Sequence, residues 1–221
     1  MLKMTITVAS LVAGCALLNP SGALAQGGVV NSPYPVLHEG AAGHREVATF
    51  AGGCFWGVQG VFDHVKGVVS TTVGYTGGAA GTARYDDVST GTTGHAEAVR
   101  VIFDPAQVDY ADLLRIYFSV ITNPTEINRQ GPDTGTQYRT ALFPANLAQA
   151  KVARAYISQL SASHVYDRPI ATRLEAQHVF FLAEAHHQKF MARNPDYPYI
   201  VYNDQPKVAA FKAMFPLKWK S

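Results

Sequence analysis

The chain is poor in cysteine and in charge. Only Cys15 and Cys54 occur in 221 residues, with no C-x-x-C pair and no Cys-Cys-His-His spacing. That argues against a disulfide framework and against a structural zinc site. Charged residues make up 15%, 18 basic against 16 acidic, and they form no long single-sign run. Nothing in that balance marks a surface for nucleic acid or an anionic membrane. There is no internal repeat, and no apolar run reaches the roughly 20 residues that a membrane-spanning helix needs. What is present is a hydrophobic content of 48%, enough for one compact domain with a real core.

The first 25 residues stand apart. Met1-Leu2-Lys3 is a short positive start, 4–18 is an uncharged, largely apolar run, and Asn19-Pro20-Ser21-Gly22 breaks any helix before Ala23-Leu24-Ala25. This is the layout of a secretory signal cut after Ala25. Val12-Ala13-Gly14-Cys15 competes with it as a lipoprotein signal ending before Cys15, which would leave a lipid anchor there. Either way the expectation is export, to a bacterial periplasm, with membrane attachment only if Cys15 is lipidated. Removal of 1–25 leaves Cys54 alone, and a lone thiol in an oxidising compartment calls for a reason.

Residues 26–45 are rich in Gly and Pro and read as a flexible leader; 46–201 is the domain and 202–221 a C-terminal tail packed on it. Hydrophobic patterning predicts strands over 46–50, 68–75, 95–103, 137–143 and 170–176. Helices are expected over 54–66, from an Asp109 cap to 120, over 145–161 and over 178–192, with 121–136 a long loop. Strands interleave with helices, so the expected fold is α/β (α+β): a two-layer, ferredoxin-like sandwich with a mixed or antiparallel sheet and helices packed on it.

Cys54 lies in AGGCFWG, at a strand-to-helix turn. A thiol attacks as its thiolate, and a helix N-terminus offers free N–H groups and partial positive charge, while Gly52-Gly53 lets the backbone approach closely. A small core residue is the alternative; the strand-glycine-cysteine-helix setting and the export signal favour a reactive thiol. Phe55 and Trp56 point about 100° apart on a helix, so one can anchor it while the other lines a pocket for a methyl or thioether. Glu97 shares a strand side with Val99, Val101 and Phe103, where burial would hold it protonated; a shift in register would place it in solvent instead. Tyr85 and Tyr138 sit near loop-strand boundaries. Asp133 reads as a turn residue in a Gly- and Pro-rich loop, and His187 as a ligand or a hydrogen-bonded core residue.

Five segments in order, GCFWG (53–57), GYTGG (74–78), GHAEAV (94–99), NRQG (128–131) and GTQYR (135–139), resemble the signature segments of the A-type peptide-methionine sulfoxide reductases, over roughly 46–200. The resemblance implies reduction of the S-epimer of methionine sulfoxide, free or in proteins, as repair of oxidised proteins. It implies Cys54 as the nucleophile on the sulfoxide sulfur, leaving a sulfenic acid. Gly53, Phe55 and Trp56 would form the substrate's site, Glu97 with Tyr85 and Tyr138 would bind and protonate the sulfoxide oxygen, and Asp133 would support them. No cofactor or metal is implied. The departure from the pattern is the missing downstream cysteine, so an external thiol, a thioredoxin-like protein or a small thiol, must reset Cys54, and a monomer is expected. A thiol peroxidase and a noncatalytic exported binding domain are the competing readings.

Overall fold

The computed structural model describes residues 29–40, 44–176 and 178–221. The expected signal, with Cys15, lies outside the described residues. In chain order the elements are β1 (Glu46–Gly52), α1 (Phe55–Asp63), β2 (Val68–Thr76), α2 (Tyr85–Val88), β3 (Ala96–Phe103), α3 (Tyr110–Ile116), β4 (Arg129–Gln130), β5 (Asp133–Thr134), β6 (Thr140–Phe143), α4 (Leu147–Ser163), β7 (Arg173–Leu174), β8 (Phe181–Leu182), α5 (Phe190–Arg193) and α6 (Gln205–Met214).

Six strands form one sheet in the order β7-β6-β1-β3-β2-β8, antiparallel throughout except for the β6-β7 pair. Its centre, β6-β1-β3-β2, is reached through two crossovers, β1-α1-β2 and β3-α3-β6. This is the split β-α-β arrangement of a ferredoxin-like sandwich, as the alternation of strands and helices predicts. Strand periodicity separates the faces. Phe50, Val73, Val99, Val101 and Leu142 face the helices in the main core with Phe62, Leu113 and Leu114. Ala51, Ala96, Ala98, Ala141 and Phe143 form a thinner layer opposite, with Phe180 packed on it.

The described part of the leader, 29–40, has no regular secondary structure. It is tied down by Val30 N–H donating to the Ser119 carbonyl (2.8 Å) and Tyr156 hydroxyl to the Pro33 carbonyl (2.7 Å). The tail returns to α1. Val65 bridges Trp219, whose ring stacks on His64 at 4.4 Å, and α6 buries Phe211 in the main core.

Several elements differ from their sequence expectation. The stretch 178–192 is not one helix. Phe181 pairs with Tyr75 as an edge strand, Phe180 lies under Arg100 at 4.2 Å, and Gln188 accepts from Val73 N–H and donates to the Val73 carbonyl. The sheet edge thus captures apolar residues whose spacing also suits a helix, and only Phe190–Arg193 is helical. The strand expected over 137–143 begins at Thr140, because Thr136–Tyr138 is a 3-10 turn, and the one expected over 170–176 shrinks to Arg173–Leu174. The loop 121–136 contains the two-stranded β4-β5 hairpin, with Gly131 at φ 56° in the turn.

Candidate active site

The site forms where β1 ends. Gly53 turns the chain at φ 89°, in the left-handed region, and a Cβ there would stand 2.6 Å from Gln130 Cβ, so glycine is required on both counts. Cys54 follows as the residue that starts α1 and is 8% exposed. One residue on, the Phe55 backbone N–H donates to Glu97 Oε2 at 3.0 Å. That bond binds the first turn of the helix to β3 and brings the carboxyl group beside the thiol. Glu97 is 2% exposed on the helix-facing side with Val99 and Val101, so the register is the one that buries it.

Burial pushes the Glu97 carboxyl up to about 8, with the Phe55 N–H pulling it down and Asp133 and Asp204 adding to the rise. At neutral pH it is therefore mainly a neutral acid, able to donate a proton. The thiol departs from expectation. Burial raises Cys54 well above the usual range, Glu97 and Asp204 raise it further, and only the Trp56 backbone N–H favours the anion. The helix end does act on the sulfur, but it is outweighed.

Phe55 and Trp56 divide as their angular spacing requires. Phe55 is buried between Tyr75 (5.9 Å between ring centres) and His187 (5.3 Å). Trp56 is half-buried, stacked on Phe190 at 3.9 Å, with Tyr197 and Tyr199 edge-on to it. Its indole N–H donates to His187 Nδ1 at 3.2 Å, which puts the histidine's proton on Nε2. Burial lowers the His187 pKa to about 4, so the ring is neutral and holds the tryptophan as an acceptor. His187 is thus a hydrogen-bonded core residue.

Tyr85 begins α2 with its backbone N–H on Glu184 Oε1 (2.9 Å) and its ring 4.4 Å from His187. Tyr138 ends the 3-10 turn before β6. Burial and the nearby Glu97 raise both phenols, which stay protonated donors. Both also feel Cys54, so the two hydroxyls lie within electrostatic reach of the thiol and the carboxyl. Asp133, in β5, accepts a hydrogen bond from the Tyr199 hydroxyl, and burial raises its pKa.

Three participants were not singled out from sequence. Glu184 anchors both Tyr85 and the Tyr75 hydroxyl (2.8 Å). Tyr199 closes on Asp133 and Trp56, and Asp204 is a wholly buried carboxylate against α1. Each lies over 80 residues from Cys54, in segments with no motif. The one visible signal was for Asp204 alone, an acidic residue just ahead of a helix with Pro206 in its first turn.

The chain is similar to known proteins of one family. A family model described as peptide methionine sulfoxide reductase matches residues 25–218. Peptide methionine sulfoxide reductase MsrA 2 of Mesorhizobium japonicum is 55% identical over 180 residues, covering 81% of this chain and 92% of that protein. The namesake from Synechocystis is 47% identical over 176 residues, covering 80% and 82%. Among solved structures, the reduced form of Mxr1 from Saccharomyces cerevisiae superposes with a TM-score of 0.63 at 30% identity, over 73% of this chain and 92% of that one.

Proposed function

The chain belongs to the peptide methionine sulfoxide reductase family and reduces methionine sulfoxide, and on that premise we propose that Cys54 carries the reaction with Glu97 as its acid. The observation that supports this most directly is the Phe55 N–H bond to Glu97, which places a neutral carboxylic acid at the start of the helix that begins with the thiol.

The sulfoxide lies with its methyl group against Trp56 and Phe55 and its oxygen toward Glu97, Tyr85 and Tyr138. Glu97 gives its proton to that oxygen, which makes the sulfur electrophilic, and takes up the proton that leaves Cys54 as its sulfur attacks. The S–O bond of the substrate breaks and a Cys54 S–O bond forms. Methionine departs reduced by two electrons, and Cys54 is left as a sulfenic acid. Gly53 supplies the left-handed turn, packed on Gln130, that presents Cys54, and Asp133 with Tyr199 fixes the rim. The handed arrangement of methyl pocket and oxygen donors selects one sulfur epimer, the S form.

No second cysteine occurs in 29–221. An external thiol, a thioredoxin-like protein or a small thiol, therefore attacks the sulfenic acid, expels water and is followed by a second thiol that releases Cys54. Export to a periplasm as a monomer, with cleavage after Ala25 rather than lipidation at Cys15, completes the reading; the mass of the mature N-terminus tests the cleavage.

The enzymatic test supplies each epimer of methionine sulfoxide with dithiothreitol. Methionine should form from the S epimer alone and not with Cys54→Ser. Equal turnover of both epimers, or activity surviving in Cys54→Ser, would sink the assignment.

A further inference from the structure

The loop that carries Tyr85 has little structure of its own. Tyr85 opens a four-residue helix, Tyr85–Val88, and the preceding Arg84 gives it no side-chain cap; a helix this short is not stable in isolation. Its first N–H is taken instead from 99 residues away, by Glu184 Oε1 at 2.9 Å. The other oxygen, Oε2, accepts the Tyr75 hydroxyl at 2.8 Å. Tyr75 is wholly buried in β2, directly opposite Glu97 across the β2-β3 pair, with its ring 5.9 Å from Phe55. The backbone around Glu184 is pinned to the same strand. Ala183 N–H donates to the Val73 carbonyl at 3.1 Å, the Gln188 side chain brackets Val73 from both sides, and His187 N–H returns to the Glu184 carbonyl at 2.9 Å. One carboxylate seated on the sheet thus holds a helix start that its own loop cannot hold.

We propose that Glu184 is a positioning residue for the Tyr85 hydroxyl: clamped between the Tyr75 hydroxyl and the Tyr85 N–H, it fixes the start of α2 relative to β2 and β3 and so sets where the phenol stands for the sulfoxide oxygen. The role is geometric. Each carboxylate oxygen accepts from one donor, one on the sheet and one on the loop, so the span from Tyr75 to Tyr85 has a fixed length. Hydrogen bonds weaken steeply as distance and angle depart from the optimum, and a misplacement of about 1 Å can cost roughly 10²-fold in rate. The same segment also ties the oxygen donor to the methyl pocket. Three residues on, His187 accepts the Trp56 indole N–H at 3.2 Å and packs its ring 4.4 Å from that of Tyr85. The pocket wall and the phenol therefore both hang from 183–188, a segment whose hydrogen bonds run to β2.

The proposal rests on the Tyr85 hydroxyl serving the sulfoxide oxygen, and a double-mutant cycle on the single-turnover rate, with saturating S-epimer of methionine sulfoxide, separates the two. Glu184→Ala should slow methionine formation about tenfold, and the same change in a Tyr85→Phe background should cost almost nothing, because the phenol it positions has gone. Glu184→Gln should recover most of the rate: its amide oxygen accepts the Tyr85 N–H and its NH2 donates to the Tyr75 oxygen, which keeps the span without the charge. Tyr75→Phe removes the sheet end of the clamp and leaves the ring against Phe55. It should slow the step several-fold and likewise lose its effect in Tyr85→Phe, and it carries the test if Glu184→Ala does not fold. A Tyr85→Phe variant that reacts at the full rate refutes the role of the phenol and the positioning role with it. If Tyr85→Phe is slow but Glu184→Ala costs the same factor in both backgrounds, or if Glu184→Gln is as slow as Glu184→Ala, the phenol stands and the assignment of Glu184 is overturned.

Discussion

Replacing Glu97 with glutamine tests the acid directly. Glutamine keeps an oxygen that can accept the Phe55 N–H, so the 3.0 Å bond that starts α1 need not be lost. It has no proton to transfer. General acid catalysis is worth roughly 10²–10⁴ in rate, which is about 3–5 kcal/mol of barrier. A single-turnover assay, with excess methionine sulfoxide and no reductant, isolates this step from recycling. Its readout is methionine formed per Cys54. The unmutated protein should lose rate as pH rises through about 8, where Glu97 ionises, and Glu97→Gln should be slow and lack that fall. Stability carries a second sign. A carboxyl raised from 4.5 to about 8 in the fold binds its proton more tightly than in the unfolded chain. Its contribution is complete below 4.5 and is lost as pH rises to about 8, a span corresponding to roughly 5 kcal/mol at most. Relative to the unmutated protein, Glu97→Gln should therefore gain stability from pH 5 to 8 in urea melts. A variant with unchanged single-turnover rate at pH 7, or one whose relative stability is flat over that range, would refute a neutral, proton-donating Glu97.

Other changes probe the supports. Gly57→Ala puts a Cβ on top of Asp204 Oδ1 and should cost about 1–3 kcal/mol in thermal or urea melts, with the tail loosened to proteolysis. Tyr199→Phe leaves Asp133 without its donor and should destabilise by about 1–3 kcal/mol, judged by urea titration. His187→Phe removes the acceptor for the Trp56 indole; KM for methionine sulfoxide should rise several-fold with kcat less affected, and Trp56 emission should change.

What could be read in the sequence was what local pattern encodes. Alternation along 46–50 and 95–103 located the two central strands, and the glycines before Cys54 located the turn that presents it, since both depend on a few neighbouring residues. Glu97 was readable as a buried acid only once the register was known, and three hydrophobic neighbours at spacing two supplied that. The segment 178–192 was not readable. Its apolar residues satisfy a helical spacing, yet Phe181 pairs with Tyr75 and Gln188 binds Val73, contacts set by a strand more than a hundred residues earlier. Tyr199 and Asp204 escaped for the same reason, because nothing beside them in sequence announces what they touch. The position of Cys54 at a helix start suggested an easily ionised thiol; burial of the sulfur reverses the inference, with Glu97 and Asp204, distant in sequence, adding to the rise.

That reversal suits the reaction. A sulfoxide and a thiol become a sulfide and a sulfenic acid with no net gain or loss of protons, so a site that starts neutral can finish neutral if one group hands a proton across. In the proposed mechanism Glu97 does so, giving to the oxygen and receiving from Cys54, beside protonated phenols and a neutral His187. A resting thiolate would break this balance: the sulfoxide oxygen would need a proton from Glu97 that nothing returns, leaving a buried carboxylate beside the product. Burial of an unpaired carboxylate costs several kcal/mol, and that charge would oppose turnover. A high Cys54 pKa is therefore compatible with catalysis here, provided that the proton leaves the sulfur as the S–O bond is transferred. A solvent isotope effect on the single-turnover rate is the corresponding measurement. Proton transfer coupled to attack should give a rate clearly lower in D2O, whereas a rate unchanged in D2O at matched pL would mean that the thiolate forms beforehand and that the neutral-site argument fails.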